Sequence, residues 1–428
     1  MTIPKELAER VARKLLATAM TLFFTVPAFA VTVPITAEFK PDRTNPSANY
    51  FKNTTPITGI CAHSQYSAFC RSRNLFSINT PILFNSTGPI SAKHTNPRMG
   101  AMIQARSGWR DLEVVPVGGG KSERLSFRIS GISSTYKTTT PVAELVGVAP
   151  NDPMAHRLLW TGGNQGHWDA APRPCLTTGA QAVPWPSQFL FFWLIPVDGL
   201  CAKNANFDIP ELQYYAFDFA YELRTPNPLE MATGTYTGSL TVSLGPSADI
   251  DMGDIMLPDN NTIELNFSLR VEHLLKVDVP PGGNRVQLEP QGGWQAWLNQ
   301  GRRPTRLFRD QTFNISTSTQ FKMRMECEYT QDGNSCSLRE PVSGHVVPLK
   351  VSVSLPHGLT DAGGQSVNRR QLLRDGSGTE LFQPGFYVES KPGTLHFEIP
   401  PGEVAEMIRP DASRQYSGNV AVIWDSEI

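Results

Sequence analysis

Residues 115–124 read VPVGGGKSER, and the Gly-Lys-Ser run within them is that of a phosphate-binding loop. Such a loop needs a further glycine five residues before Gly120 and a helix after the lysine, so that backbone N–H groups and a helix dipole face the phosphate. Val115 stands at the first place, and no helical period follows. GISST, 131–135, lacks the second glycine of a nucleophile elbow. GGNQGHWD, 162–169, brings His167 close to Asp169, but that spacing alone implies no catalytic pair. The eight histidines form no H-x-x-x-H pair, no C-x-x-C occurs, and no histidine stands at ligand spacing from a cysteine, so neither a metal nor another cofactor is expected. The carboxylate pair of a glycosidase meets only in the fold, and nothing in the sequence singles out two such residues. The expectation is a chain that is not an enzyme.

The six cysteines point to disulfides instead. Cys61 and Cys70, Cys175 and Cys201, and Cys327 and Cys336 fall into three local couples, and an even count is usual in exported chains. Residues 1–30 agree with export. Lys5, Arg10, Arg13 and Lys14 precede an apolar run over 15–29, which ends in Ala28-Phe29-Ala30, the small-x-small pattern of signal-peptide cleavage. The run is shorter than the ~20 residues of a membrane span, which favours a cleaved signal over an anchor. Cleavage removes four basic and two acidic residues and takes the net charge from -1 to -3. With Lys and Arg scattered along the chain, no nucleic-acid partner is expected.

The elements that must position any site are strands. Alternation of apolar residues marks 124–130 (RLSFRIS), 214–224 (YYAFDFAYELR), 262–271 (TIELNFSLRV) and 347–355 (VPLKVSVSL). With 34 Gly and 35 Pro the chain is rich in turns, and helical periodicity is weak beyond a turn or two over 401–410. The fold expected is all-β, two immunoglobulin-like β-sandwich domains in tandem. GPSADIDMGDIMLPDNN, 245–261, is small, acidic and turn-rich and reads as the boundary. It divides the chain into 31–247, a linker at 248–257, and 258–428. Each domain closes on a strand with one signature: GTYTGSLTVSL near the boundary and RQYSGNVAVIW near the end, so that Tyr236 and Gly238 match Tyr416 and Gly418.

These two endings, together with CAKNANFDIPELQYYAFDFAYELR before the first of them, resemble the domain ends of chaperone–usher fimbrial subunits. The likeness is nearest to two-domain tip adhesins of colonisation-factor-type fimbriae, in the alternate chaperone–usher class. It covers both domain ends and the linker well and 31–160 poorly. In that family the C-terminal pilin domain is a sandwich that lacks its seventh strand. A periplasmic chaperone fills the gap first. At an outer-membrane usher a strand from the next subunit, here the major pilin, replaces it, a form of β-augmentation.

The resemblance implies a pilus-tip protein at the cell surface that binds a host glycan or protein receptor. It places the groove in 258–428, with Val420, Val422 and Trp424 on one wall and Ile263, Leu265, Phe267 and Leu269 on the other. Receptor contact is expected at Arg224, the basic residue before the GTYT strand, where relatives carry a cluster. Trp160 and Trp168, with Trp185 and Trp193, are aromatic candidates for stacking on sugar. VTVPITAEF, 31–39, alternates like a donor strand; Pro34, which has no N–H, suits the first strand of the N-terminal domain better. The competing functions are a structural or assembly-initiating minor pilin without a receptor, and a secreted carbohydrate-active enzyme.

Overall fold

The computed structural model describes residues 30–162, 166–179, 184–301, 303–409 and 415–426. The signal-peptide reading falls on residues outside these, apart from Ala30. No helix among the described residues is long and apolar enough to cross a membrane. The fold is all-β, with two sandwiches in tandem and short helices on their loops.

Alternation in the sequence becomes one-sided burial in the strands. In Thr262–Val271, Ile263, Leu265, Phe267, Leu269 and Val271 are buried, and the residues between them are not. The N-terminal sandwich is built around this strand. Gly234–Ser243 pairs with it antiparallel, with Tyr236 opposite Leu269 and Val242 opposite Ile263. Val31–Phe39 pairs with it in parallel on the other side, Val33 opposite Leu265 and Ile35 opposite Phe267. The same sheet continues from Gly234–Ser243 through Arg110–Pro116 and Glu123–Thr138 to Leu212–Arg224 and folds over into a facing layer, where Phe127 meets Phe267 at 5.9 Å. One apolar core fills the space between the layers.

Two expectations are corrected here. Ile263, Leu265, Phe267 and Leu269 are not a wall of the C-terminal domain; they pack in the N-terminal core, beside Val33, Ile35, Ala37 and Phe39. The stretch 248–257 is not a linker. Ile250–Asp251 pairs with Ala101–Ala105 and Met256–Pro258 with Phe84–Ser86, while Ile250, Met252 and Met256 are fully buried. Its carboxylates are neutralised from a distance in sequence. Arg98 contacts Asp251 at 2.8 Å and Asp254 at 2.6 Å, and Arg110 contacts Asp249 at 3.2 Å. The chain leaves the N-terminal sandwich at Val271 and begins the C-terminal one at Leu275, with Glu272, His273 and Leu274 between them.

A bulge between Tyr215 and Asp218, with Ala216 at φ 49°, re-aims the middle of Leu212–Arg224. Phe217 through Tyr221 are therefore all buried. The outer face is capped by Gly59–Ala62 and Ser64–Ser72, whose Cys61–Cys70 disulfide packs on Phe192 and Ala220. The other disulfides are Cys175–Cys201 and Cys327–Cys336.

Candidate functional site

The C-terminal sandwich places Leu275–Asp278, Leu307–Thr317, Val388–Ile399 and Val346–Ser354 side by side in one sheet. The facing sheet is Lys322–Cys327 paired with Val420–Asp425. An immunoglobulin sandwich of the constant type has four strands against three. Here the larger sheet has these four strands and three further short ones, Glu289–Pro290, Cys336–Arg339 and Arg370–Gln371, against a facing pair, and the open position lies beside Val420–Asp425, on the edge away from Lys322–Cys327. Among the described residues no strand pairs with that edge, so over 420–424 alternate backbone N–H and C=O groups have no ladder partner there.

The side chains record the vacancy. Met323 and Met325 are opposite Trp424 and Val422, and both are buried. Val420, Val422 and Trp424 point the same way, yet each is only half-buried. A cleft of about 350 Å³ opens beside them, with Val277, Val279, Val286 and Leu288 on its far wall. Phe313, Leu395 and Phe397, from the buried core, also line it. Trp424 fixes one side, edge-on to Phe313 at 4.9 Å and tilted on Phe321 at 5.7 Å. The far wall is thus formed by the edge strand Leu275–Asp278 and the chain after it. Alternation in 275–279 is too short to stand out in the sequence, and the stronger pattern at 262–271 draws attention away from it.

The two Tyr-x-Gly signatures serve one local purpose. A Cβ on Gly238 would meet the Glu113 carbonyl oxygen at 2.5 Å, and one on Gly418 would meet that of Ser337 at 3.2 Å. Each glycine lets backbone pass close to backbone. Each tyrosine pins the approach: the Tyr236 hydroxyl donates to the Ala232 carbonyl at 3.2 Å, and the Tyr416 hydroxyl meets His345 Nδ1 at 2.8 Å. The first is the geometry of a tyrosine corner. After it, Thr262–Val271 fills the position that stands open beside the second.

The receptor candidates divide. Trp160 and Trp168 have no exposed surface, and neither does Trp193. They interlock with Tyr136, Phe189, Phe191 and Tyr214 in an aromatic core, Trp168 stacking on Trp193 at 4.9 Å. Burial removes Trp160 and Trp168 as receptor contacts, which corrects that expectation. Arg224 is exposed, and its guanidinium covers the Trp109 ring at 4.0 Å. Arg128 covers the same ring at 4.7 Å while pairing with Glu222 at 2.7 Å. The glycine-rich 117–120 is an exposed turn between the strands Arg110–Pro116 and Glu123–Thr138, not a loop before a helix.

Sequence reasoning missed one constellation. Ser354 Oγ lies 2.9 Å from His396 Nε2, and His396 Nδ1 lies 2.7 Å from Asp310 Oδ1. The three stand on neighbouring strands of one sheet, so only the pairing of those strands reveals them. Distances of this kind suit a nucleophile and base, but the oxyanion donors do not. The Leu355 N–H is spent on the Val367 carbonyl, and the Arg369 N–H on Ser354 Oγ itself. The arrangement is a cross-strand hydrogen-bond ladder. Among the described residues no group of three or more His, Cys, Asp or Glu side chains is placed to hold a metal ion.

No family model matches the chain, and no curated protein matches it. Solved structures do. One is CfaE, the adhesive subunit of the CFA/I fimbria of enterotoxigenic Escherichia coli, at 11% identity over 92% of this chain and 92% of that one, with a TM-score of 0.24. Another is a chain of a chaperone–tip adhesin complex of CFA/I fimbriae, at 11% identity, 93% and 96% coverage, and a TM-score of 0.23. A third is from the CsuC–CsuE chaperone–tip adhesion subunit pre-assembly complex of the archaic chaperone-usher Csu pili of Acinetobacter baumannii, at 6% identity, 92% and 98% coverage, and a TM-score of 0.21.

Proposed function

We propose that this chain is a fimbrial tip adhesin of the alternate chaperone–usher class. Its C-terminal sandwich receives a β-strand from another protein, and its N-terminal sandwich meets a receptor. The observation that carries this reading is the open strand position beside Val420–Asp425, with its apolar cleft. An unpaired edge over exposed core is an aggregation hazard, which a periplasmic chaperone relieves before an usher exchanges it for a strand of the major pilin. Val31–Phe39 is paired with Thr262–Val271 of its own chain and is therefore not free to serve a neighbour as a donor strand.

The test is donor-strand complementation. A segment with apolar residues at alternate positions, fused through a linker after Ile428, is expected to raise the melting of the C-terminal sandwich and to keep the chain monomeric. Three inward side chains at ~1.5–3 kcal/mol each set the scale of the gain. An unfused chain that is equally stable and monomeric, and that takes up no strand peptide, would refute the reading.

A further inference from the structure

The sixteen-residue strand Glu123–Thr138 spans about 50 Å at ~3.3 Å per residue. Glu123 stands at the domain junction, lining a hollow that Thr319 and Gln320 of the C-terminal sandwich also line. Thr138 marks the opposite pole, where its N–H donates to the Ser187 carbonyl at 2.9 Å. A second hollow, of about 250 Å³, lies at that pole, lined by Asn151, Asp152, Pro153, His156 and Trp185 among others.

Trp185 is 50% exposed, while the three tryptophans of the nearby core are wholly covered. The exposed ring sits on a fixed base. Pro184 and Pro186 flank it and restrict the backbone. The Trp185 N–H donates to the Gln188 carbonyl at 3.0 Å, and the Trp185 carbonyl accepts from His156 Nε2 at 2.6 Å. A carbonyl only accepts, so Nε2 carries the proton and Nδ1 accepts from the Tyr136 hydroxyl at 2.5 Å. That hydroxyl in turn accepts from Trp160 Nε1 at 3.2 Å. Burial holds His156 down at about 4, so this neutral chain persists at physiological pH. Beside the ring stand the exposed Asn151 and the Asp152 carboxylate, which is steadied by the Met154 N–H at 2.8 Å.

A flat indole face, fixed from beneath and rimmed by an amide and a carboxylate, suits a sugar ring. The C–H face stacks on the indole, and the hydroxyls bond to the rim. The carboxylate disfavours an acidic sugar. We propose that the pole farthest from the C-terminal sandwich is a glycan site that stacks a neutral hexopyranose on Trp185 and takes its hydroxyls on Asn151 and Asp152. This rests on the adhesin reading and gives it a ligand class.

Saturation-transfer NMR on the full chain tests it, with methyl α-mannopyranoside, methyl β-galactopyranoside, methyl β-glucopyranoside and, as the acidic control, N-acetylneuraminic acid. Transfer to at least one neutral glycoside is expected. Trp185→Ala should weaken its Kd by roughly tenfold or more. Trp185→Phe, which keeps a stacking face, should stay within about threefold of the parent, with both variants melting as the parent does. No transfer to any neutral glycoside, transfer to the acidic sugar alone, or unchanged binding by Trp185→Ala overturns the site. Beads coated with the chain separate this from the broader reading. If Trp185→Ala beads adhere to cells as parent beads do, the site is wrong and the adhesin reading stands. If parent beads do not adhere, the adhesin reading fails, and the glycoside titration still decides the site.

Discussion

Asp218 offers a stability prediction with a definite sign. The bulge in Leu212–Arg224 turns this carboxyl under the Gly59–Ala62 cap, where Oδ1 has no hydrogen-bond partner among the described residues. Burial pushes it up from 3.8 to about 8, only weakly opposed by the polar groups of Ser133 and Ile60 nearby. Between those values the folded chain holds a proton that the unfolded chain has released. Stability is therefore full below the unfolded value and falls as pH rises toward the folded one, by about 1.4 kcal/mol per unit. From pH 4 to pH 7 the loss is roughly 4 kcal/mol at most. Asp218→Asn removes the titration, and its amide can donate to Ser133 Oγ, itself without a partner. Hydrogen exchange of amides in 212–224, measured from pH 4 to pH 8 with correction for intrinsic rates, reads the local opening free energy. The variant is expected to match the parent at pH 4 and to exceed it by up to ~4 kcal/mol at pH 7. A variant less stable than the parent at pH 7, or one with the parent's slope, would refute the placement of this carboxyl.

Val422→Asp should leave the bare chain almost unchanged, since Val422 is only half-buried. It should weaken uptake of a complementing strand by about a hundredfold or more in a peptide-binding titration, because the added charge has to be desolvated. His273 has partners on both domains: Nε2 donates to the Met231 carbonyl at 2.8 Å, and Nδ1 accepts from the Ser318 hydroxyl at 3.2 Å. Burial lowers its pKa below 6.5, so the unfolded chain takes up the proton first and junction stability is lost as pH falls through 6.5. His273→Gln should flatten that acid limb in a thermal melt series. Ser354→Ala is expected to cost about 1 kcal/mol in urea unfolding for the broken ladder. Turnover of p-nitrophenyl acetate by the parent above the buffer rate would contradict the structural role given to Ser354, His396 and Asp310.

Strand periodicity was legible in the sequence because one face of each strand is buried, and Thr262–Val271 shows it at every position. Which sheet a strand joins was not legible, since alternation reports a buried face and not a neighbour. The same limit hid the parallel partner of Val31–Phe39, Thr262–Val271, which lies more than 200 residues away along the chain. The acidic letters of 245–261 suggested a solvated linker because Arg98, Arg106 and Arg110, which offset them, are some 140 residues upstream. Trp160, Trp168 and Trp185 look alike in a sequence. Only packing distinguishes the two that interlock from the one held at the surface between prolines.

The three-residue crossing between the sandwiches also sets how the chain would respond to pulling. Thr262–Val271 runs straight into it, hydrogen-bonded along its length to Gly234–Ser243 on one side and Val31–Phe39 on the other. A pull on the C-terminal sandwich enters at Val271 and acts along the strand axis. Both ladders then resist in shear, with their bonds strained together, instead of peeling apart one at a time. A molecule that is tugged from one pole and anchored at the other is thus joined through a strand bonded on both sides along its length, and the first structure to yield under tension should lie elsewhere.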